Sequence, residues 1–198
     1  MNPMAAIILA AGAATRMGAP KQLLRYRGLT LLEHCVGQAL EAGLHPVIVV
    51  VGAGSSEVRA AIAAQPVEIV ENPAWQTGMG SSLSAGMQSL LSTNANVPGV
   101  AILLADQPRV RAEHLNAMRQ SLEAGNALAV AAHYNGGVGV PAFFKRDLFS
   151  ALANLPPETG ARRLLRESGL PVSAYPQPEA AVDIDTPADF AQLINQAN

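Results

Sequence analysis

Residues 7–21 read I-I-L-A-A-G-A-A-T-R-M-G-A-P-K. The apolar run Ala5–Ala10 stops at Gly12, and the loop that follows carries two glycines, Gly12 and Gly18, and two cations, Arg16 and Lys21. An apolar run bounded by glycine reads as a buried strand. A glycine-punctuated loop leaving such a strand lets backbone N–H groups come close to a phosphate. Arg16 and Lys21 add the positive charge that a polyphosphate needs. A nucleotide site at the end of the first strand is therefore expected.

The spacing narrows the kind of site. A dinucleotide fingerprint needs G-x-G-x-x-G, and a P-loop needs G-x4-G-K-[S/T]. Here Gly12 and Gly18 are separated by five residues, and Gly18 is followed by Ala19, Pro20, Lys21 and Gln22. Both common phosphate loops are excluded. The pattern L-A-A-G-x-x-x-R-M-G-x-x-K instead resembles the signature of nucleotidyltransferases that join a nucleoside triphosphate to a phosphorylated acceptor.

Outward from this loop, strand-like and helix-like segments alternate. Strands are expected at Ala5–Ala10, Pro46–Val51, Val67–Val70, Val100–Ala105 and Ala127–Ala132. Helices are expected at Leu31–Ala42, Ser56–Ala64, Ser82–Leu91, Arg111–Ala124, Arg146–Ala153, Gly160–Glu167 and Pro187–Gln196. Such alternation gives a mostly parallel sheet with helices on both faces, a single-domain Rossmann-like α/β fold. Thr30-Leu31-Leu32-Glu33 reads as a capping box with Gly43 as the helix stop, and Thr186-Pro187-Ala188-Asp189 as a second helix start. Gly136–Phe144 breaks the alternation and reads as a turn and a short strand running against the rest. The whole chain, 1–198, is expected to form one domain, with 1–110 holding the nucleotide and 111–198 the acceptor.

Composition narrows the class further. The apolar share is 49% and the aromatic share 4%, which suits aliphatic strands covered on both faces. A net charge of −2 without a basic run gives nucleic-acid binding little support. No apolar stretch approaches the length of a membrane span, and the N-terminus lacks the basic region of a signal peptide. The lone Cys35 cannot form an internal disulfide and reads as a small buried hydrophobe. These features point to a cytoplasmic enzyme without nucleic-acid or membrane partners.

In open parallel sheets, ligands bind at the carboxyl ends of the strands. The strand 100–105 ends in Asp106-Gln107-Pro108, where an acid would project toward the Gly12–Lys21 loop. Mg²⁺ takes one or two carboxylates together with phosphate oxygens and water, so Asp106 is a candidate metal ligand. In isolation, Asp before Gln-Pro is also a common turn-former. In strand geometry Asp183 and Asp185 share a face, and either could complete the metal shell. Alternatively they only complement the next helix's N-terminus. The run Gly78-Met79-Gly80-Ser81-Ser82 opens a helix of small residues. Its serines could be simple N-caps, or its exposed N–H groups and hydroxyls could hold a base or ribose. The four histidines lack metal-ligand spacing.

Together, L-A-A-G-A-A-T-R-M-G-A-P-K-Q-L-L at 9–24, G-M-G-S-S-L-x-A-G-M at 78–87 and L-L-A-D-Q-P at 103–108 resemble the molybdenum cofactor cytidylyltransferases, within the molybdopterin nucleotidyltransferase group. G-V-G-V-P-A-x-F at 137–144, T-G-A-R-R-L-L at 159–165 and V-D-I-D-T-P-A-D-F at 182–190 extend the match. One departure is Pro157-Glu158-Thr159, where members often carry Gly-Asp.

The resemblance implies transfer of CMP from CTP to the terminal phosphate of a molybdopterin-type cofactor, with release of pyrophosphate. It implies Arg16, Lys21 and Asp106 as catalytic groups and Mg²⁺ on Asp106 with Asp185 or Asp183. Nucleotide contacts would come from Leu9, Ala10, Ala11, Gly12, Arg16, Gly18, Lys21, Gly80, Ser81 and Ser82. Acceptor contacts would come from Gly137, Gly139 and Pro141. A molybdoenzyme apoprotein or its chaperone is the implied recipient. The same residues also suit guanylyl transfer, or transfer to a sugar phosphate or another small phosphate. A non-catalytic cofactor chaperone accounts less well for cations and strand-end carboxylates together. An oxidoreductase is disfavoured by the missing dinucleotide fingerprint and redox cysteines.

Overall fold

The computed structural model describes residues 3–13, 17–93, 96–167 and 169–196. Its frame is a seven-stranded sheet. In chain order the strands are β1 (Ala5–Ala10), β4 (Val47–Val51), β5 (Glu68–Glu71), β6 (Gly99–Leu104), β7 (Ala129–Tyr134), β8 (Gly137–Lys145) and β9 (Val172–Pro176). A two-stranded hairpin, β2 (Arg25–Tyr26) and β3 (Leu29–Thr30), stands apart from it. The spatial order is β5-β4-β1-β6-β8-β7-β9. All strands are parallel except β8, which runs antiparallel to both β6 and β7.

Among the described residues the α-helices are α1 (Leu31–Glu41), α2 (Ser55–Ile62), α3 (Met79–Ser92), α4 (Ala112–Ala124), α5 (Phe149–Ala153), α6 (Ala161–Glu167) and α7 (Pro187–Asn195), of which α1 to α6 cover the sheet. Side chains alternate across a strand, so β1 feeds two cores. Ala6, Ile8 and Ala10 pack with α1, α2 and α4. Ala5, Ile7 and Leu9 pack with α3, α5 and α6. Every residue of β1 and β4 is buried, which is why these segments read as unbroken aliphatic runs. Gly86 lets α3 lie directly on the sheet, since a Cβ there would stand 2.8 Å from Ile7 Cγ2 and 2.9 Å from Val50 Cγ2. A third cluster seats α7, with Leu193 and Ile184 against Tyr26 and Leu31.

Both capping boxes form: Thr30 with Glu33 starts α1, and Thr186 with Asp189 starts α7. Gly43 follows α1 at φ +72. Two local expectations need correction. α3 begins at Met79 and not Ser82, because Gly78, at φ +128, makes the turn into it. Residues 183–185 do not join the sheet; they are an extended segment with Ile184 buried and Asp183 exposed. The partly buried strand β9 and the hairpin lie outside the strands expected from the sequence. The hairpin turns on Arg27 and Gly28, both at positive φ. Among the described residues no helix is long and apolar enough to cross a membrane.

The topology sets up a functional edge. Leu9 of β1 pairs with Leu104 of β6, and Ala10 with Val51 of β4, so these strands end together. Because β8 is reversed, its first residues, Gly137–Pro141, lie at that same edge.

Candidate nucleotide and metal site

Lys21 reaches this edge from a single 3-10 turn, residues 21–23, that follows the glycine loop. Its neighbour Gln22 is buried and donates from Nε2 to the Ala10 carbonyl at 3.2 Å, tying the turn to the end of β1. Gly18, at φ +69, makes the bend that brings the chain back. At Gly12 a Cβ would meet no atom of the described residues within 4 Å. Arg16 lies outside the described residues.

The Lys21 ammonium stands 2.5 Å from Asp106 Oδ2 and 2.7 Å from Asp185 Oδ1. Burial disfavours its charged form, but the Asp106 and Asp185 carboxylates outweigh that and hold Lys21 above the usual lysine range. For Asp106 burial dominates, and its carboxyl sits above the usual range although Lys21 pulls it down. Asp106 Oδ1 is buried and meets no hydrogen-bond donor among the described residues.

Asp185 is held from both sides. The Ile184 N–H donates to the Asp106 carbonyl at 3.0 Å. The Asp185 N–H donates to Asp189 Oδ2 at 3.1 Å, in the cap of α7. Of the two candidate acids, Asp185 is brought to Lys21, whereas Asp183 is exposed and acts on Asp106 only as a nearby negative charge.

Beside this carboxylate pair opens a cavity of about 330 Å³ lined by Leu9, Ala10, Ala11, Gly12, Lys21, Gln22, Trp75, Gln76, Gly78, Met79, Ser82, Leu104, Ala105 and Asp106. Its size lies in the range of small-molecule sites. Trp75, the chain's one tryptophan, packs on Gly52, where a Cβ would stand 2.7 Å from Trp75 Cγ. Sequence reading missed Trp75 and Gln76. The available signal was their place between β5 and α3, at the carboxyl edge where ligands gather.

Gly80 and Ser81 do not line the cavity. A Cβ at Gly80 would strike the Pro156 and Thr159 carbonyls at 2.1 and 2.4 Å, so this glycine serves close packing of the 156–159 loop. The Ser81 hydroxyl donates to the Gly78 carbonyl at 2.8 Å, and its N–H to the Pro157 carbonyl at 3.2 Å. The departure segment Pro157–Thr159 thus covers the start of α3. Ser82 is buried and accepts from Asn72 Nδ2 at 3.0 Å.

Gly137, Gly139 and Pro141 lie outside the cavity, on the reversed strand at the same edge. Gly139 makes room for Tyr134 Oη, 2.6 Å from where its Cβ would be, and Gly137 for Arg166. Arg162 donates from Nε to the Val138 carbonyl at 3.1 Å. Two exposed cations of α6 therefore border the first half of β8. Tyr134 donates to the Val140 carbonyl at 3.1 Å, and burial raises its phenol above the usual range.

The acids suit a hard divalent cation. Two carboxylates, one of them with a buried oxygen that meets no donor among the described residues, are a donor set that Mg²⁺ or Mn²⁺ uses when a ligand's phosphates supply the remaining positions. Among the described residues no three His, Cys, Asp or Glu side chains form a closed metal cage.

The MobA-like NTP transferase domain matches residues 6–172. The purine catabolism protein PucB of Bacillus subtilis is 31% identical over 196 residues, covering 93% of this chain and 92% of its own. A nicotine blue oxidoreductase of Paenarthrobacter nicotinovorans is 42% identical over 103 residues, but only 52% of this chain and 48% of that protein are matched. Among solved structures, Rv0371c of Mycobacterium tuberculosis superposes with a TM-score of 0.83 at 30% identity, covering 98% of both chains. Its manganese complex superposes with a TM-score of 0.76 at 29% identity, covering 98% of this chain and 99% of its own. With the match running from β1 into β9, the chain belongs to the family of MobA-like NTP transferase domains.

Proposed function

We propose that this protein transfers CMP from CTP to the terminal phosphate of a molybdopterin-type cofactor. The observation that carries the reading is the convergence of Lys21, Asp106 and Asp185 at the rim of the cavity formed by Leu9–Gly12. In the reaction an acceptor phosphate oxygen bonds to the α-phosphorus of CTP, the α–β P–O bond breaks, and pyrophosphate leaves. No protein nucleophile is needed, because such transfers rest on positioning and charge stabilisation.

Each group has a role in that scheme. Lys21, with Arg16 from the same loop, neutralises triphosphate charge and the charge growing on pyrophosphate. Backbone groups of Leu9–Gly12 face the base and ribose in the cavity that Trp75 and Gln76 also line. Asp106 and Asp185 would hold a divalent cation such as Mg²⁺, which would supply positive charge to stabilise the phosphates. The acceptor lies over Gly137–Pro141, where Arg162 and Arg166 offer charge to its phosphate. The choice of CTP and of a molybdopterin acceptor rests on the resemblance of residues 78–87, 103–108 and 137–144, and the manganese complex of Rv0371c supports a divalent metal.

The test is pyrophosphate release from each of the four nucleoside triphosphates with Mg²⁺ and molybdopterin. CTP-dependent release is expected. Strong GTP preference, or turnover only with a sugar phosphate, overturns the cytidylyl reading. Cofactor binding with no release from any triphosphate would favour a carrier.

A further inference from the structure

Gln107 follows the metal-side carboxylate and is buried at 6% exposure, yet the proposed chemistry gives it no task. Its amide nitrogen donates to two carbonyls from distant parts of the chain: Val140 at 3.1 Å and Ala180 at 2.8 Å. Two acceptor partners require the NH₂ of the amide on that side. Its Oε1 is buried and has no hydrogen-bond partner among the described residues, a situation that costs stability. A residue serving only as filler would be apolar here.

The two carbonyls explain what that cost secures. Val140 lies on the half of β8 at the functional edge, and the same carbonyl accepts from Tyr134 Oη. Ala180 lies on the turn that leads into Asp183–Asp185. Four residues on, the Ile184 N–H donates to the Asp106 carbonyl. Segment 180–184 is thus fastened twice to consecutive residues of one strand end, once by the Gln107 side chain and once by the Asp106 backbone. Asp185 is the next residue. Without the Gln107 contact, the Ile184 N–H bond to the Asp106 carbonyl is the one hydrogen bond left between that segment and the strand end among the described residues.

We infer that Gln107 is a positioning residue: its amide clamps the 180–184 segment and β8 to the end of β6 and thereby sets the spacing of Asp106 and Asp185 for the divalent cation. This role rests on the metal reading above. It differs from a generic structural role because its effect passes through Asp185.

The test is Mn²⁺ affinity by EPR titration of the full chain. Gln107→Met keeps length and loses the amide; its Mn²⁺ affinity should fall about 10–100-fold, as when an outer-sphere partner of a metal ligand is removed. CTP quenching of Trp75 fluorescence without metal should be unchanged. In an Asp185→Asn background the same substitution should cost little further affinity, because its target is already gone. If Gln107→Met does not fold, Gln107→Asn, whose shorter amide cannot span both carbonyls, takes its place in the same cycle. Wild-type affinity in the single variant, or full additivity with Asp185→Asn, overturns the role of Gln107 while leaving the metal site standing. If wild-type protein binds no Mn²⁺, or Asp106→Asn binds it unchanged, the metal reading fails and the role of Gln107 fails with it.

Discussion

Lys21 Nζ lies 2.5 Å from Asp106 Oδ2, joining the glycine loop after β1 to the acid after β6 across two adjacent strand ends. Substituting Lys21→Met should cost about 1–3 kcal/mol at neutral pH, because a largely buried carboxylate loses its partner. The pH dependence has a fixed sign. Burial already raises the Asp106 carboxyl above its ordinary value of 3.8, and removing Lys21 removes an influence that lowers it. A carboxyl raised on folding costs stability above its folded value, and the cost disappears as pH falls toward 3.8. Urea unfolding of the variant and the wild type should therefore differ most near neutrality and converge in acid.

Asp106→Ala should lower nucleotidyl transfer by at least about 10²–10³-fold, the scale of losing a charge-stabilising group. Far-UV circular dichroism should be unchanged, because β6 is held by Val100, Ile102 and Leu103 in the two cores. Retained pyrophosphate release would remove Asp106 from the chemistry.

Two glycines separate stability from site shape. Gly86→Ala drives a methyl to within 2.8–2.9 Å of Ile7 and Val50 in the core and should destabilise by about 1–3 kcal/mol. Gly52→Ala puts its methyl 2.7 Å from Trp75 Cγ, at the cavity wall. It should shift Trp75 emission and weaken CTP binding in fluorescence titrations. Gly86→Ala should leave that emission near wild type.

Cys35 should be chemically quiet in the native state. Burial pushes its thiol up to about 12, and its Sγ is directed at the Leu104 carbonyl at 3.5 Å. Because the thiolate is the reactive form, a disulfide reagent at pH 8 should label native protein far more slowly than urea-unfolded protein. Equal rates would show the thiol open to solvent.

Much of this arrangement was legible in the sequence because single residue types force it. The aliphatic run Ala5–Ala10, the capping residues Thr30 and Thr186, and the acid after β6 each have one cheap structural solution. Other parts depend on tertiary contacts that leave no periodic trace. Strand β9 is short, only partly buried and at an edge, and only its ladder with β7 identifies it. The hairpin turns on Arg27-Gly28 and not on the Asn-Gly or Asp-Gly pair that marks such turns. Gly80 looked like a ligand-facing glycine, but what it accommodates is the Pro156–Thr159 backbone. Gln107 joins positions 33 and 73 residues away, a relation invisible without the fold.

The site's central relationship is most directly tested by Mn²⁺ anomalous scattering from crystals grown with CTP. The expected result is one Mn²⁺ held by Asp106 and Asp185 together with triphosphate oxygens, with the base in the cavity that Leu9–Gly12 and Trp75 line. A nucleotide bound there with its metal on other residues, or with both carboxylates free of metal, contradicts it.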